Sequence, residues 1–333
     1  MLKKLLAVCI GLTLLSGASL ALTLNGAGAT FPYPIYSKWF SMYQQAKGVQ
    51  INYAPIGSGG GIRQFMAGVV NFGGTDAPMT DAEIDKAGGD VLHIPTVMGA
   101  VAVVYNAGFE GLKLDGKTLA GIFLGEIKKW NDPKIASLNP DISLPDKNIL
   151  VVHRSDSSGT TDIFTNYLAK VSSAWAAKVG AGKSVAWPAG VGGKGNPGVT
   201  GAVKNNGGSI GYVELAYAET NKLPVAAIKN RSGNYVTPSV DGTTAAAAGA
   251  IAKIPADFRG EILDQKGAAT YPICGFTWIV VHQNQTNQEA GIALKDFLIW
   301  ALTDGQVYAK ELYYAPLPKS LAGKVIETVN SIK

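Results

Sequence analysis

Three times in this chain a short apolar run of strand character flows into a Gly/Ser/Thr-rich junction that opens a helix. Leu22-Thr23-Leu24-Asn25 leads into Gly26-Ala27-Gly28-Ala29-Thr30-Phe31, and Val49-Gln50-Ile51-Asn52-Tyr53 into Gly57-Ser58-Gly59-Gly60-Gly61. Ile149-Leu150-Val151-Val152 leads into Arg154-Ser155-Asp156-Ser157-Ser158-Gly159-Thr160. Strands that turn directly into helices constrain the chain to layered α/β architecture. A helix start presents unpaired backbone N–H groups and a partial positive charge, so each junction is able to hold an anion. Three of them, one carrying an arginine, describe an oxyanion gripped from several sides.

Alternation continues along the chain. Strand character falls at 49–54, 99–105, 148–153, 209–215 and 276–282, and helical character at 32–46, 60–68, 117–130, 160–170 and 291–302. Leu119, Ile122, Phe123, Ile127 and Trp130 recur at helical spacing and predict one apolar stripe. Thr80-Asp81-Ala82-Glu83 has the spacing of a capping box and predicts a further helix start. The alanine run 245–250 predicts a short helix, and the Gly/Lys/Asn/Pro-rich stretch 180–208 a long ordered loop. The pattern is that of an α/β protein with mainly parallel sheets, in which ligands sit beyond the carboxyl ends of strands.

Two distant segments look alike: Ile94-Pro95-Thr96-Val97 running to Val103-Val104, and Tyr271-Pro272-Ile273-Cys274 running to Val280-Val281. Read as two strands crossing between lobes, they divide the chain into lobe I (22–96 and 272–333) and lobe II (97–271). The competing reading is a pair of unrelated edge strands that each begin with proline.

The amino terminus, Met1-Leu2-Lys3-Lys4 followed by an apolar run to Leu15 and by Ser19-Leu20-Ala21, reads as a secretory signal spanning 1–21. Its removal leaves 312 of the 333 residues, with 27 basic against 24 acidic side chains, a net charge of +3. That small excess, without a block of Lys or Arg, argues against nucleic acid as a partner. Cys9 lies inside the signal, so Cys274 is left alone, which excludes an internal disulfide and reads as a buried, inert thiol.

Arg154 and Asp156 are two apart on an extended run, so they face the same side. The carboxylate is then placed to hold the guanidinium while a free donor edge grips a tetrahedral oxyanion. Ser158 and Thr160 add hydroxyl donors, and Gly159 lets the backbone approach. Thr30, beside Phe31 and Pro32, and Ser58, among glycines, follow the same logic. Asp76, in Phe72-Gly73-Gly74-Thr75-Asp76-Ala77-Pro78, bears on selectivity. A carboxylate aimed at a bound anion repels it unless the anion brings a proton to donate; phosphate at neutral pH does, and sulfate does not. The resulting penalty, an unpaired acceptor beside a like charge, is on the order of thousands-fold in affinity. Each group also has a plainer reading: a surface Arg–Asp pair, a helix cap, a turn residue before Pro78.

Competing chemistries find less support. Ala181-Gly182-Lys183-Ser184 ends like a P-loop but has Ala177 where its first glycine belongs. His93, His153 and His282 lack metal-ligand spacing, and Gly57-Ser58-Gly59 is not a nucleophile elbow.

The assembled stretches resemble the phosphate-specific periplasmic binding proteins (PstS-type) of bacterial ABC uptake systems. The likeness is carried by Asn25-Gly26-Ala27-Gly28-Ala29-Thr30-Phe31-Pro32, Ile56-Gly57-Ser58, Phe72 to Pro78, Gly125-Glu126-Ile127-Lys128-Lys129-Trp130 and Arg154 to Thr160. Trp187-Pro188, Gly192-Gly193-Lys194-Gly195-Asn196 and Gly211-Tyr212-Val213-Glu214 extend it. The resemblance implies a two-lobed type II binding-protein fold, each lobe a mainly parallel sheet flanked by helices, joined by two hinge strands and closing over one dehydrated phosphate. It puts the ligand contacts on Thr30, Phe31 (through its backbone), Ser58, Asp76, Arg154, Ser158, Gly159 and Thr160, with Asp156 orienting Arg154. It implies a monomeric, non-enzymatic periplasmic receptor without cofactor or metal, which passes inorganic phosphate to permease subunits of the inner membrane. The alternatives are a secreted phosphatase using the same cradle and a receptor for another tetrahedral oxyanion. Two positions depart from the family pattern: Gly59, where a second serine is common, and His153, where a second arginine is.

Overall fold

The computed structural model describes residues 22–333; the expected signal segment 1–21, with Cys9, lies outside them. Eleven strands occupy Thr23–Gly28 (β1), Gln50–Pro55 (β2), Phe72–Thr75 (β3), Val91–Asn106 (β4), Lys113–Leu114 (β5) and Leu150–Arg154 (β6), then Val191–Gly193 (β7), Ser209–Glu214 (β8), Ala227–Lys229 (β9), Tyr235–Val236 (β10) and Cys274–His282 (β11). The first helices are Tyr33–Lys47 (α1), Ser58–Met66 (α2), Asp81–Lys86 (α3), Gly116–Phe123 (α4), Pro133–Ala136 (α5) and Gly159–Val171 (α6). Ser173–Lys178 (α7), Gly195–Asn205 (α8), Leu215–Thr220 (α9), Val240–Ala250 (α10), Gln288–Leu302 (α11) and Lys319–Asn330 (α12) follow.

Eight strands form one hydrogen-bonded sheet in the order β2-β1-β3-β11-β4-β8-β6-β7, and β10-β9-β5 form a small second one. The runs β2-β1-β3 and β8-β6-β7 are parallel, as expected for strands joined by helices. β4 and β11 run antiparallel to their neighbours and join the two expected parallel runs into one continuous mixed sheet. The reason is β4, whose 16 residues reach across both halves of the molecule. Its first part pairs with β11 up to Ala100 opposite Cys274, and from Val101 to Asn106 it pairs with β8. Strand character expected at 99–105 therefore begins at Val91, and Pro95 lies inside the strand.

Two other expectations are revised. The helix expected over 117–130 stops at Phe123, because Gly125 takes a left-handed φ of 70° and the Glu126 N–H closes back on the Gly121 carbonyl. Ile127 and Trp130 still enter the core beside Leu119, Ile122 and Phe123, from the turn that follows. Stretch 180–208 is not a loop throughout but contains β7 and α8. Poor helix formers in α8 are held by burial of Val199 and Val203 and by the register of β7 against β6. The capping box at Thr80 is present, with Glu83 N–H donating to the Thr80 hydroxyl and Glu83 Oε2 accepting the Thr80 N–H. The alanine run lies in α10. Cys274 is fully buried, and burial pushes its thiol up to about 12, which leaves it unreactive.

Candidate anion-binding site

The three junctions lie beyond the carboxyl ends of parallel strands. β1 ends at Gly28 and α1 starts at Tyr33, leaving Thr30 and Phe31 in the turn with Pro32 as the N-cap residue. β2 ends at Pro55 and α2 starts at Ser58 after Gly57, whose φ of 88° suits glycine. A side chain at Gly57 would also run into the Asp156 carboxylate from the other half of the molecule. β6 ends at Arg154 and α6 starts at Gly159, with the Ser158 hydroxyl capping the Thr161 N–H at 3.1 Å. Asp76 directly follows β3.

These junctions meet. Ser58 Oγ accepts the Gly159 N–H at 3.0 Å and the Asp76 N–H at 3.3 Å, and lies 3.5 Å from Asp76 Oδ2. The Gly59 N–H donates to the Ser157 carbonyl at 3.1 Å. A Cβ on Gly159 would stand 2.6 Å from Asp76 Cβ and 2.7 Å from Ser58 Oγ, so only glycine allows this approach. Arg154, 3% exposed, donates from Nε to Asp156 Oδ1 at 2.7 Å and from a terminal nitrogen to Oδ2 at 2.6 Å. Its other terminal nitrogen donates to Thr160 Oγ1 at 3.2 Å. Asn196 ties the halves by donating its side-chain amide to Thr30 Oγ1 at 2.9 Å and to Thr160 Oγ1 at 3.2 Å, and its N–H to Thr30 Oγ1 at 3.0 Å. The Tyr217 hydroxyl donates to the Thr30 carbonyl at 2.6 Å. That carbonyl belongs to the peptide unit carrying the Phe31 N–H, which it polarises as a donor.

A hydroxyl has one proton to give and two lone pairs to fill. At Thr30, Thr160 and Ser158 the lone pairs accept from amide or guanidinium groups, so each proton is left to be donated, while Ser58 accepts two amides and turns its own proton toward Asp76 Oδ2 at 3.5 Å. The cluster is thus built of donors around one acceptor, Asp76. Burial lifts the Asp76 carboxyl to about 7, against the Thr277 hydrogen bond, the Arg154 charge and Ser58, while Asp162 adds to the rise. Burial also pushes Asp156 up, but the hydrogen bonds and charge of Arg154, with the Gly195 N–H, outweigh it and hold this carboxyl below its usual range. Glu214, fully buried nearby, is raised well above its ordinary value by burial.

All nine residues singled out from the sequence therefore fall in one cluster drawn from both halves of the sheet, eight of them buried and Asp156 partly exposed at its edge. One detail differs: the Gly159 N–H is engaged by Ser58 Oγ rather than directed to the space between the halves. Asn196, Tyr217 and Thr277 escaped the reading of individual residues. Asn196 lay in a stretch read as loop, Tyr217 acts from a short helix, and Thr277 was one polar residue in an apolar strand. The P-loop-like stretch serves the fold instead, as the Lys183 carbonyl accepts the Ser158 N–H.

A family model for the PBP superfamily domain matches residues 16–304. The chain is 45% identical over 330 residues to the phosphate-binding protein PstS of Pasteurella multocida, covering 98% of this chain and 95% of that one. It is 46% identical over 305 residues to the protein of the same name from Xylella fastidiosa, covering 91% and 83%. Among solved structures it resembles a high affinity periplasmic phosphate-binding protein bound with phosphate, at a TM-score of 0.71 and 24% identity over 91% of this chain and 93% of that one. That last likeness bears on the fold.

Proposed function

The chain belongs to the PstS family of phosphate-binding proteins within the PBP superfamily, and on that premise we propose that it is a periplasmic receptor that encloses one inorganic phosphate and delivers it to an inner-membrane ABC permease. Residues 22–96 and 272–333 form lobe I, residues 97–271 form lobe II, and the lobes close by a hinge motion. This division is supported by β4, which exchanges β11 for β8 between Ala100 and Val101, and by the Val101 N–H bond to the Ile273 carbonyl beside the second crossing.

Thr30, the Phe31 N–H, Ser58, Ser158 and Thr160 donate to the phosphate oxygens, and the Gly159 N–H joins them when the ligand takes the place of its bond to Ser58 Oγ. Arg154, oriented by Asp156, supplies the charge, and Asp76 accepts the proton that phosphate carries and sulfate lacks. One observation carries the reading: the Ser58–Gly159 hydrogen bond brings the donors of both lobes and the single acceptor into one buried cluster. Binding without hydrolysis fits the same geometry. A phosphatase needs a nucleophile with a base, whereas the histidines are engaged elsewhere: His93 accepts the Met79 N–H, His282 pairs with Asp90, and His153 contacts the Arg154 carbonyl. A monomer without cofactor, exported by the 1–21 signal and indifferent to nucleic acid, completes the proposal.

Native mass spectrometry of the purified chain tests it, with one retained phosphate per protein expected. Competition titration should leave sulfate unable to displace that phosphate. Equal binding of the two anions, or turnover of a chromogenic phosphate ester, would overturn the reading.

A further inference from the structure

The two carboxylate oxygens of Asp76 face different surroundings. Oδ1 accepts from Thr277 Oγ1 at 2.8 Å, while Oδ2 faces Ser58 and the space beside Gly159. Thr277 lies where the ladder between β11 and β4 slips: Thr277 pairs with Val97 but Trp278 with Pro95, which makes Thr96 the extra residue of a bulge. Bulges next to functional sites re-aim a side chain. This one is braced, since Thr96 Oγ1 contacts both the Thr277 carbonyl at 3.2 Å and the Tyr36 hydroxyl at 2.8 Å. Thr277 is fully buried, and its hydroxyl is much closer to Asp76 than to its other acceptor, the Thr75 carbonyl at 3.3 Å.

We propose that Thr277 is a specificity-determining positioning residue: it occupies Asp76 Oδ1 with a donated proton, so that Oδ2 alone meets the ligand and meets it as an acceptor. The proposal rests on the phosphate reading above. A hydrogen bond donated to a carboxylate favours its ionised form. That matters here because burial drives Asp76 toward neutrality, and Thr277 is the largest influence opposing it, ahead of Arg154 and Ser58. Other groups around the carboxyl act with less force or the opposite sign: Asp162 from α6, Glu214 at the end of β8, Tyr36 from α1, Tyr53 from β2 and Tyr217 from α9. Without Thr277 the carboxyl holds its proton to higher pH and becomes a donor. A donor accepts sulfate as readily as phosphate, so the veto against unprotonated anions moves upward in pH.

The test is the ratio of phosphate to sulfate affinity, measured by calorimetry from about pH 6 to about pH 9. The wild-type chain is compared with Thr277→Val, which keeps the shape without the hydroxyl, and with Thr277→Ser, which restores it. Phosphate itself titrates in this range, so the readout is the displacement between variant and wild type. Thr277→Val should shift the profile upward by about one pH unit, a loss of about tenfold in preference near neutrality, and Thr277→Ser should return it. Thr277→Cys, with its weak donor, should lie between and carries the test if the valine variant does not fold. Superimposed profiles, or an equal weakening of both anions at every pH, would overturn the proposal. A wild-type chain that binds neither anion would overturn the phosphate reading itself.

Discussion

Arg154 and Asp156 form a pair of unequal exposure, the arginine side chain at 1% and the aspartate at 13%. Truncating one partner of a buried, hydrogen-bonded pair leaves the other uncompensated, at a cost of about 3 kcal/mol or more. Arg154→Met should therefore weaken phosphate binding by on the order of hundreds-fold, and the added Asp156→Asn change should recover part of that loss by removing the orphaned charge. A double variant no better than the single one in phosphate titration would show that Asp156 does not act through Arg154. Asp76 makes a prediction about stability. Its folded-state value, about 7, lies above its ordinary 3.8, so its contribution favours the ligand-free fold below the lower value and is lost as pH rises through the higher one. Asp76→Asn should thus stabilise the phosphate-free protein at pH above about 7, by up to about 4 kcal/mol, and add little near pH 4. Urea unfolding at both pH values measures this, and a pH-independent difference would refute it. These residues were legible in the sequence because each stands in a strand–turn–helix junction whose chemistry is local. Thr277 was not, since its role depends on a bulge that sequence periodicity does not register.

Helix α3 exists for reasons visible in four residues, the capping box at Thr80 to Glu83. Its acidic side chains also reach residues distant in the chain. Glu83 pairs with Lys183 at 3.0 Å and Asp81 with Arg259 at 2.6 Å, while Arg259 also donates to the Met79 carbonyl at 3.1 Å. Such partly exposed pairs contribute about 0.2–1 kcal/mol each and are screened by salt. Lys183→Met should accordingly speed phosphate release about two- to fivefold and flatten the salt dependence of the release rate in stopped-flow measurements. An unchanged release rate would mean the pair adds nothing to closure. Most other elements were readable because burial follows periodicity, as in α1, α6 and α11. Two were not: α4 ends early because Gly125 takes a left-handed turn, and α8 forms from Gly, Asn and Thr only because Val199 and Val203 find the core. Tertiary packing overrides weak propensity in that case.

At the scale of the whole molecule, residues from two halves of one continuous sheet meet in a cluster that neither half holds alone. The similar Pro95 and Pro272 segments were read as crossings between lobes; what the sequence did not reveal is that β4 carries one sheet unbroken past Pro95. Motion about Ala100–Val101 and Ile273–Cys274 would separate Ser58 from Gly159, Thr30 from Asn196 and Gly59 from Ser157 together. Gly159 offers a way to block closure without unfolding either lobe. As the first residue of α6 it does not require a left-handed backbone, so alanine suits the helix. In the closed arrangement, however, the new methyl would stand 2.6 Å from Asp76 Cβ, well inside the contact distance of about 3.5 Å. Gly159→Ala should hold the lobes apart. In small-angle scattering, phosphate should contract the wild type toward a radius of gyration of about 20 Å and leave the variant unchanged. Binding should fall at least about a hundredfold while the melting temperature without phosphate stays within a few degrees of wild type. A variant that contracts and binds within about tenfold of wild type would show that the site does not depend on the two lobes meeting at Gly159.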